Sequence, residues 1–265
     1  MSRTNWSPAV CAVTLLLAAA SPVLAIELEK RLDQTYDLGG GGEVAVSNVN
    51  GAVVVEGWDR DVVRVQAVKK ARAGSRARAE EALERIEVRV HRTGDRLEIR
   101  TRRPDSSSGF LSWVFGNHSN AGVSYTVSVP RRTDVEVATV NGKILVRGLE
   151  GAVEVDTTNG GIEVEDVRGS VDAGTTNGAI RVALQAVGEG RPMRFSTTNG
   201  AIQLSLPRSA QVSLDASTTN GGIDLDGFPA DIRSRSRRHL RADVNGGGPE
   251  IELSTTNGGI KVTGR

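Results

Sequence analysis

The chain has 265 residues, 33 Lys and Arg against 32 Asp and Glu, and 31 glycines, but only 3% aromatic residues. Near-balanced charge gives no global field to draw the protein to a polyanion, which speaks against nucleic acid as a partner. A glycine-rich, aromatic-poor composition suits short strands joined by tight turns better than an ordinary mixed globule.

The first element is a leader. Arg3 precedes the apolar run 9–20, and Val23-Leu24-Ala25 ends on a small residue, the pattern of a secretory signal peptide cleaved after Ala25. The run falls short of the ~20 apolar residues that cross a bilayer. Cys11, the only cysteine, lies inside residues 1–25 behind Ser7-Pro8-Ala9-Val10, which is no lipidation box. The mature chain is therefore expected to have no thiol, disulfide or lipid anchor. Arg3 is the only charge in the leader, so its removal brings 33 basic residues to parity with 32 acidic ones. The expected location is outside the inner membrane, periplasmic or at the cell surface.

Residues 26–130 read as a β-rich N-terminal region. Strand-like alternation marks 43–48, 52–56, 62–68, 86–90, 97–101 and 123–129, and Thr93-Gly94-Asp95 is a turn between two of these runs. One helix is predicted over 75–86, where Ala79, Ala82, Leu83 and Ile86 fall at i, i+3, i+4 and i+7. The glycines at 39–42 lack the Gly-Lys-Ser/Thr and the helix of a phosphate loop. Phe110, Leu111, Trp113 and Phe115 stand in a Ser-, Gly- and Asn-rich stretch and include three of the nine aromatics. Two roles are expected for them, a contact with a partner or membrane surface and a lid over the first coil.

Residues 131–265 repeat. Thr157-Thr158-Asn159-Gly160-Gly161-Ile162-Glu163-Val164 returns at 175–182, 197–204, 218–225 and 255–262, with looser copies around Asn141-Gly142 and Asn50-Gly51. Successive Asn positions from Asn141 lie 18, 18, 22 and 21 residues apart, then 37, with Asn245-Gly246 between. A period near 20 is that of a solenoid. Alternating apolar residues before each Asn-Gly (Val153 and Val155, Val171 and Ala173, Met193 and Phe195) and after it (Ile162 and Val164, Ile180 and Val182) make a strand, a corner and a second strand. Carried forward, this parity turns the first Thr and the Asn inward and the second Thr outward.

Asn-Gly is also a strong hairpin signal, so an antiparallel meander is the rival fold. Identical octets favour parallel stacking, because like then lies on like at about 4.8 Å per rung. The fold expected is all-β, a parallel β-solenoid of about 18–22-residue coils behind a β-rich N-terminal region carrying one short helix. Asn141, Asn159, Asn177, Asn199, Asn220 and Asn257 are expected to form an Asn ladder along one corner. Because a copy at Asn50 precedes residues 58–130, that segment is read either as an insertion or cap on one solenoid or as a separate domain ending near Pro130.

Val46-Ser47-Asn48-Val49-Asn50-Gly51, Val55-Glu56-Gly57-Trp58, Tyr125-Thr126-Val127-Ser128-Val129-Pro130 and the Thr-Thr-Asn-Gly-Gly/Ala-Ile copies resemble the bacterial putative-adhesin family of β-strand repeat proteins, a domain-of-unknown-function family. The resemblance covers nearly all of the mature chain. It implies an exported, envelope-associated β-solenoid and supplies no catalytic residues.

Chemistry is sparse. His91, His118 and His239 have no Cys or His at metal-ligand spacing, and no Gly-x-Ser-x-Gly elbow marks a nucleophile. Glu163, Glu165 and Asp166 could supply the carboxylates of a carbohydrate-active β-helix enzyme, but no stacking aromatics alternate with them; Asp156, Asp166 and Asp172 read as solvated faces. Arg233, Arg235, Arg237, Arg238 and Arg241 form a basic tract that breaks the repeat, read as a solvated turn or an anionic contact. The last copy is followed only by Thr263-Gly264-Arg265. An open final rung there would invite self-association through the C-terminal solenoid edge. The function expected is a non-enzymatic, adhesin-like binding or scaffolding module with an envelope or surface partner, peripheral membrane contact included, and without cofactors or metals. A structural or envelope-stress role is the alternative, and a carbohydrate-active enzyme the weaker one.

Overall fold

The computed structural model describes residues 26–38, 41–102, 120–188 and 190–265, except the Asn120 side chain. Residues 1–25 and the segment holding Phe110, Leu111, Trp113, Phe115 and His118 lie outside the described residues. In chain order come β1 (Ile26–Asp37), β2 (Glu43–Ser47), β3 (Val53–Trp58), β4 (Val62–Ala73), α1 (Arg76–Glu84), β5 (Glu87–Thr93), β6 (Arg96–Arg102) and β7 (Asn120–Pro130). The repeats follow as β8 (Asp134–Asn141), β9 (Ile144–Arg147), β10 (Val153–Asn159), β11 (Ile162–Gly169), β12 (Val171–Asn177), β13 (Ile180–Val187), β14 (Met193–Asn199) and β15 (Ile202–Leu206). The chain closes with β16 (Val212–Asn220), β17 (Ile223–Asp226), β18 (Ala230–Arg235), β19 (His239–Val244), β20 (Glu250–Asn257) and β21 (Ile260–Gly264).

These strands form two sheets. Sheet A runs β1-β4-β7-β3-β9-β11-β13-β15-β21-β17, and sheet B runs β18-β19-β16-β20-β14-β12-β10-β8-β2-β6-β5. The coils pair in parallel with the octets in register, Val153 beside Val171 and Val135, Ile162 beside Ile180 and Ile144, with a register shift at 165–168 of β11, while the β18–β19 hairpin adds to β16 antiparallel. The alternation seen in the sequence is the reason: along β10, Val153, Val155 and Thr157 are buried while Glu154, Asp156 and Thr158 are exposed. One contiguous apolar core therefore runs the length of the stack between the sheets, each buried Val or Ile contributing about 1.5–3 kcal/mol.

Both sheets continue past Pro130. β2 and β3 pair with β8 and β9, and β6 and β7 form the next rung outward. Antiparallel β4 and β1 extend sheet A, β5 extends sheet B, and α1 packs on β1 and β4. Ser75 caps α1, its Oγ accepting from the Arg78 N–H at 3.4 Å, and Ala79 and Leu83 are its buried residues.

The corners explain the octet. A Cβ on Gly178 would stand 1.9 Å from the Gly160 carbonyl oxygen, and one on Gly200 1.9 Å from that of Gly178, so the position after Asn has room for glycine alone. Nothing lies within 4 Å of a Cβ on Gly222, one place further on, where other copies carry Ala179 and Ala201.

Two expectations are corrected. The final coil is not an open end: β20 lies between β14 and β16, and β21 between β15 and β17, so the last strands are paired on both sides. The last coil therefore offers no free edge. Instead the free edges at this end are β17 and β18, and Asn245-Gly246 is no coil corner but the turn after β19. The chain skips one rung after Leu206 and returns to fill it. Secondly, the ladder asparagines are exposed while the first Thr of each octet is buried. The inward phase stops at that Thr because the chain is already turning into the other sheet.

Candidate functional site

Three surfaces of the stack carry distinct chemistry. The first is the corner edge. Asn141 donates its side-chain amide to Asn50 at 2.8 Å, Asn159 to Asn141 at 2.9 Å, Asn177 to Asn159 at 2.9 Å and Asn199 to Asn177 at 2.8 Å. The ladder continues through the intercalated coil, Asn257 donating to Asn199 and Asn220 to Asn257, each at 2.8 Å. Beneath it, Thr175 Oγ1 donates to the Gly160 carbonyl and Thr197 to that of Gly178, both at 3.0 Å. Thr139 breaks the series with no partner for its hydroxyl, since the Gly51 carbonyl below accepts the Asn48 amide at 3.1 Å instead.

Outer charges differ between the sheets. On sheet A they alternate in sign and pair across rungs: Lys143 bonds Glu163, whose carboxyl it holds below the usual range, and Arg147 meets Glu56 at 2.6 Å. Glu165 and Asp166 share this sheet, and the Asp166 backbone is left-handed at φ 54°.

Sheet B carries like charges in register: Glu136, Glu154 and Asp172 lie side by side on β8, β10 and β12. Asp156 lies two residues on from Glu154, reaching over Gly174, where a Cβ would fall 2.3 Å from its Oδ1. The flanking cations engage the ends of the row. Arg96 bonds Glu43 and Glu136, and Arg194 bonds Glu252 at 2.9 Å while its N–H donates to Asp172. Glu154 and Asp156 are left without a cationic partner among the described residues. Loss of solvation, then the neighbouring carboxylates, push both above the ordinary carboxyl range. They border an open groove of about 700 Å³ whose lining includes Asp172, Gly174, Glu250 and Glu252 and no aromatic side chain. A sequence signal exists for this surface. Counting back five from each corner Asn gives Glu136, Glu154, Asp172, Arg194, Asp215 and Glu252.

The third surface is the β18–β19 hairpin at the end of sheet B. Its five arginines divide. Arg233 pairs with Asp243, and Arg241 with Asp215 at 2.8 Å, where His239 Nε2 also comes within 3.1 Å. Arg235, Arg237 and Arg238 have no acidic partner among the described residues and are exposed. Ser236 Oγ accepts the His239 N–H at 3.0 Å, which fixes the turn that displays them. His91 is exposed on β5, away from this hairpin. Among the described residues no group of His, Cys, Asp and Glu could hold a metal ion, and no helix is long and apolar enough to cross a membrane.

Two largely parallel sheets joined at stacked Asn-Gly corners define a solenoid of the kind the octet implies. The family model described as Toastrack DUF4097 matches residues 134–263. Three solved structures are similar. A putative cell adhesion protein from Clostridium sporogenes has 13% identity and a TM-score of 0.49, over 90% of this chain and 100% of that one. A putative adhesin from Bacteroides fragilis has 10% identity and a TM-score of 0.39, over 89% and 97%. A putative lipid binding protein from Parabacteroides distasonis has 11% identity and a TM-score of 0.36, over 88% and 96%. No curated protein matches.

Proposed function

We propose that this is an exported, non-enzymatic binding or scaffolding module of the cell envelope, which meets an anionic lipid surface through the tip of its β18–β19 hairpin. One observation carries the reading: Arg235, Arg237 and Arg238 stand exposed without carboxylate partners, although acidic side chains neutralise Arg233 and Arg241 in the same hairpin. Guanidiniums near an anionic bilayer contribute about 1 kcal/mol each, so three of them amount to roughly a hundredfold in affinity. The leader at 1–25 supports export, and N-terminal sequencing of the periplasmic fraction should start at Ile26.

The test is co-sedimentation of the mature chain with phosphatidylglycerol vesicles and with phosphatidylcholine vesicles. Binding to the first alone, weakened by salt and lost in R235E/R237E/R238E, is the expected result. Equal sedimentation of variant and wild type would overturn the proposal. Retention on an acidic polysaccharide with no vesicle binding would also do so, giving the hairpin a glycan partner.

A further inference from the structure

We infer that the C-terminal coil, β20 and β21, is an exchangeable element whose partner is the matching slot in a second copy of this chain. The slot is the rung skipped after Leu206. Its walls, β14–β15 and β16–β17, precede the coil in the chain, so they emerge first during synthesis and export. The coil enters last and bonds to both walls. Gly200 N–H donates to the Asn257 carbonyl at 3.1 Å and Ile202 to Gly259 at 3.0 Å on one side; Gly258 donates to Asn220 at 3.0 Å and Ile260 to Gly222 at 2.9 Å on the other. Thr255 Oγ1 reaches the Gly200 carbonyl at 3.0 Å, and Thr218 Oγ1 that of Gly258 at 2.9 Å.

What makes the coil exchangeable is that the walls also match each other. Both present the octet, so Thr197 can face Thr218, Asn199 Asn220, Ile202 Ile223 and Leu204 Leu225 in the register that the other rungs use. Two closed stacks are thus available to one sequence, one with the coil between the walls and one with the walls paired directly and the coil outside. An excluded coil is a strand-corner-strand that fits a slot bounded by octets, and a second copy provides one. Exchange of an identical element between copies is a low-cost route to association, which hinge loops favour. The hinge is the turn Asn245-Gly246-Gly247, left-handed at φ 51°, 90° and 85° and pinned by Asn245, whose amide donates to the Arg208 and Ala210 carbonyls at 2.9 and 2.8 Å.

Ser205 on β15 faces Thr263 on β21, their hydroxyls 3.1 Å apart, and Ser196 on β14 faces Ser254 on β20. Two full-length chains in a C11S background, one carrying S205C and the other T263C, are unfolded together, refolded over a range of concentrations and oxidised. A 205–263 disulfide between chains, doubling the mass and rising with concentration, is the expected product. S196C mixed with S254C repeats the test on the other sheet and serves if the first pair refolds poorly. Monomers alone at every concentration, or only 205–205 and 263–263 links, would overturn the inference. The vesicle experiment does not bear on it, so the two proposals fail separately.

Discussion

The coils from Asp134 to Leu206 and the segment that follows them are written in the same octet but stacked by different rules. In the first region each coil after β8–β9 lies on its predecessor in the chain. In the second the chain leaves a rung empty, builds β16–β17 and the β18–β19 hairpin beyond it, and returns to fill the gap. The comparison teaches that an octet specifies what a rung binds, like on like, but not which rung comes next. Ladder bonds of 2.8–2.9 Å join Asn177 to Asn159 and Asn257 to Asn199 alike, although the partners are 18 residues apart in one case and 58 in the other.

The largest expected effect comes from the glycine after the corner Asn. Gly178→Ala in a sequential coil and Gly258→Ala in the intercalated one each bring a Cβ within 1.9 Å of a carbonyl oxygen on the adjoining rung. Neither backbone can yield, so urea melts should show a loss near the upper end of the 1–3 kcal/mol typical of overpacking. Gly222→Ala meets open space at a position without positive φ. It should gain about 0.4–1 kcal/mol through the unfolded chain.

Next come the buried hydroxyls. Thr175→Val leaves the Gly160 carbonyl without its 3.0 Å donor and should cost about 1–3 kcal/mol. Thr139→Val, whose hydroxyl bonds nothing, should be neutral or stabilising. Equal losses at both positions would remove the Thr-to-glycine bond from the account of the corner.

How much of this was legible follows from particular residues. The parallel sheets and the Asn ladder could be read because Asn-Gly recurs at a fixed distance from alternating valines and isoleucines. The order of the coils could not, because Thr197, Thr218 and Thr255 open octets that are interchangeable as neighbours. Strand parity turns Asn159 inward, but Thr158 and Asn159 are both exposed, because β10 ends at Asn159 and its last residues already bend toward the other sheet. The acidic surface was in plain view five residues before each corner, but it appears only when the copies are aligned on Asn and the sign of each row is compared. Nothing local distinguishes Arg233, which finds Asp243, from Arg235, which finds no acid; that depends on which strand lies alongside.

The ladder gives a smaller effect than buried asparagines would. Asn177→Leu breaks one bond on each side of an exposed amide and should lose about 1 kcal/mol. Asn257→Leu should lose a similar amount and leave the ratio of exchanged dimer to closed monomer unchanged, since an exchanged coil makes the same ladder bonds to Asn199 and Asn220 in its partner's slot. A change in that ratio would mean that the exchanged coil does not sit in the slot as it does in the monomer.

The smallest effect is electrostatic. Asp156 faces Ala138 and Gly174 across the rungs, so Glu136 and Asp172 repel it only diagonally, and Asp156→Asn should recover about 0.2 kcal/mol at neutral pH, the low end for cross-strand charge pairs. The sign with pH follows from the raised carboxyls of Asp156 and Glu154. Their stabilising contribution is fully present below the ordinary carboxyl range near pH 4 and is lost as pH rises through the raised values. Asp156→Asn should flatten that part of the stability profile. Glu163, held low by Lys143, works the other way, its contribution fading as pH falls, and Glu163→Gln should remove that limb.

The position of the last coil is tested most directly by two double-cysteine variants of the full chain in a C11S background. Ser205 neighbours Thr263, which in turn neighbours Asp226, so Ser205 and Asp226 are two rungs apart, about 9.6 Å by the rung spacing and beyond the ~7 Å that a disulfide spans. Oxidised monomeric S205C/T263C should form an internal 205–263 link in nearly all molecules, and S205C/D226C should link only the minor fraction whose walls pair directly. A ready 205–226 link with no 205–263 link would place the coils in chain order and contradict the intercalated stack.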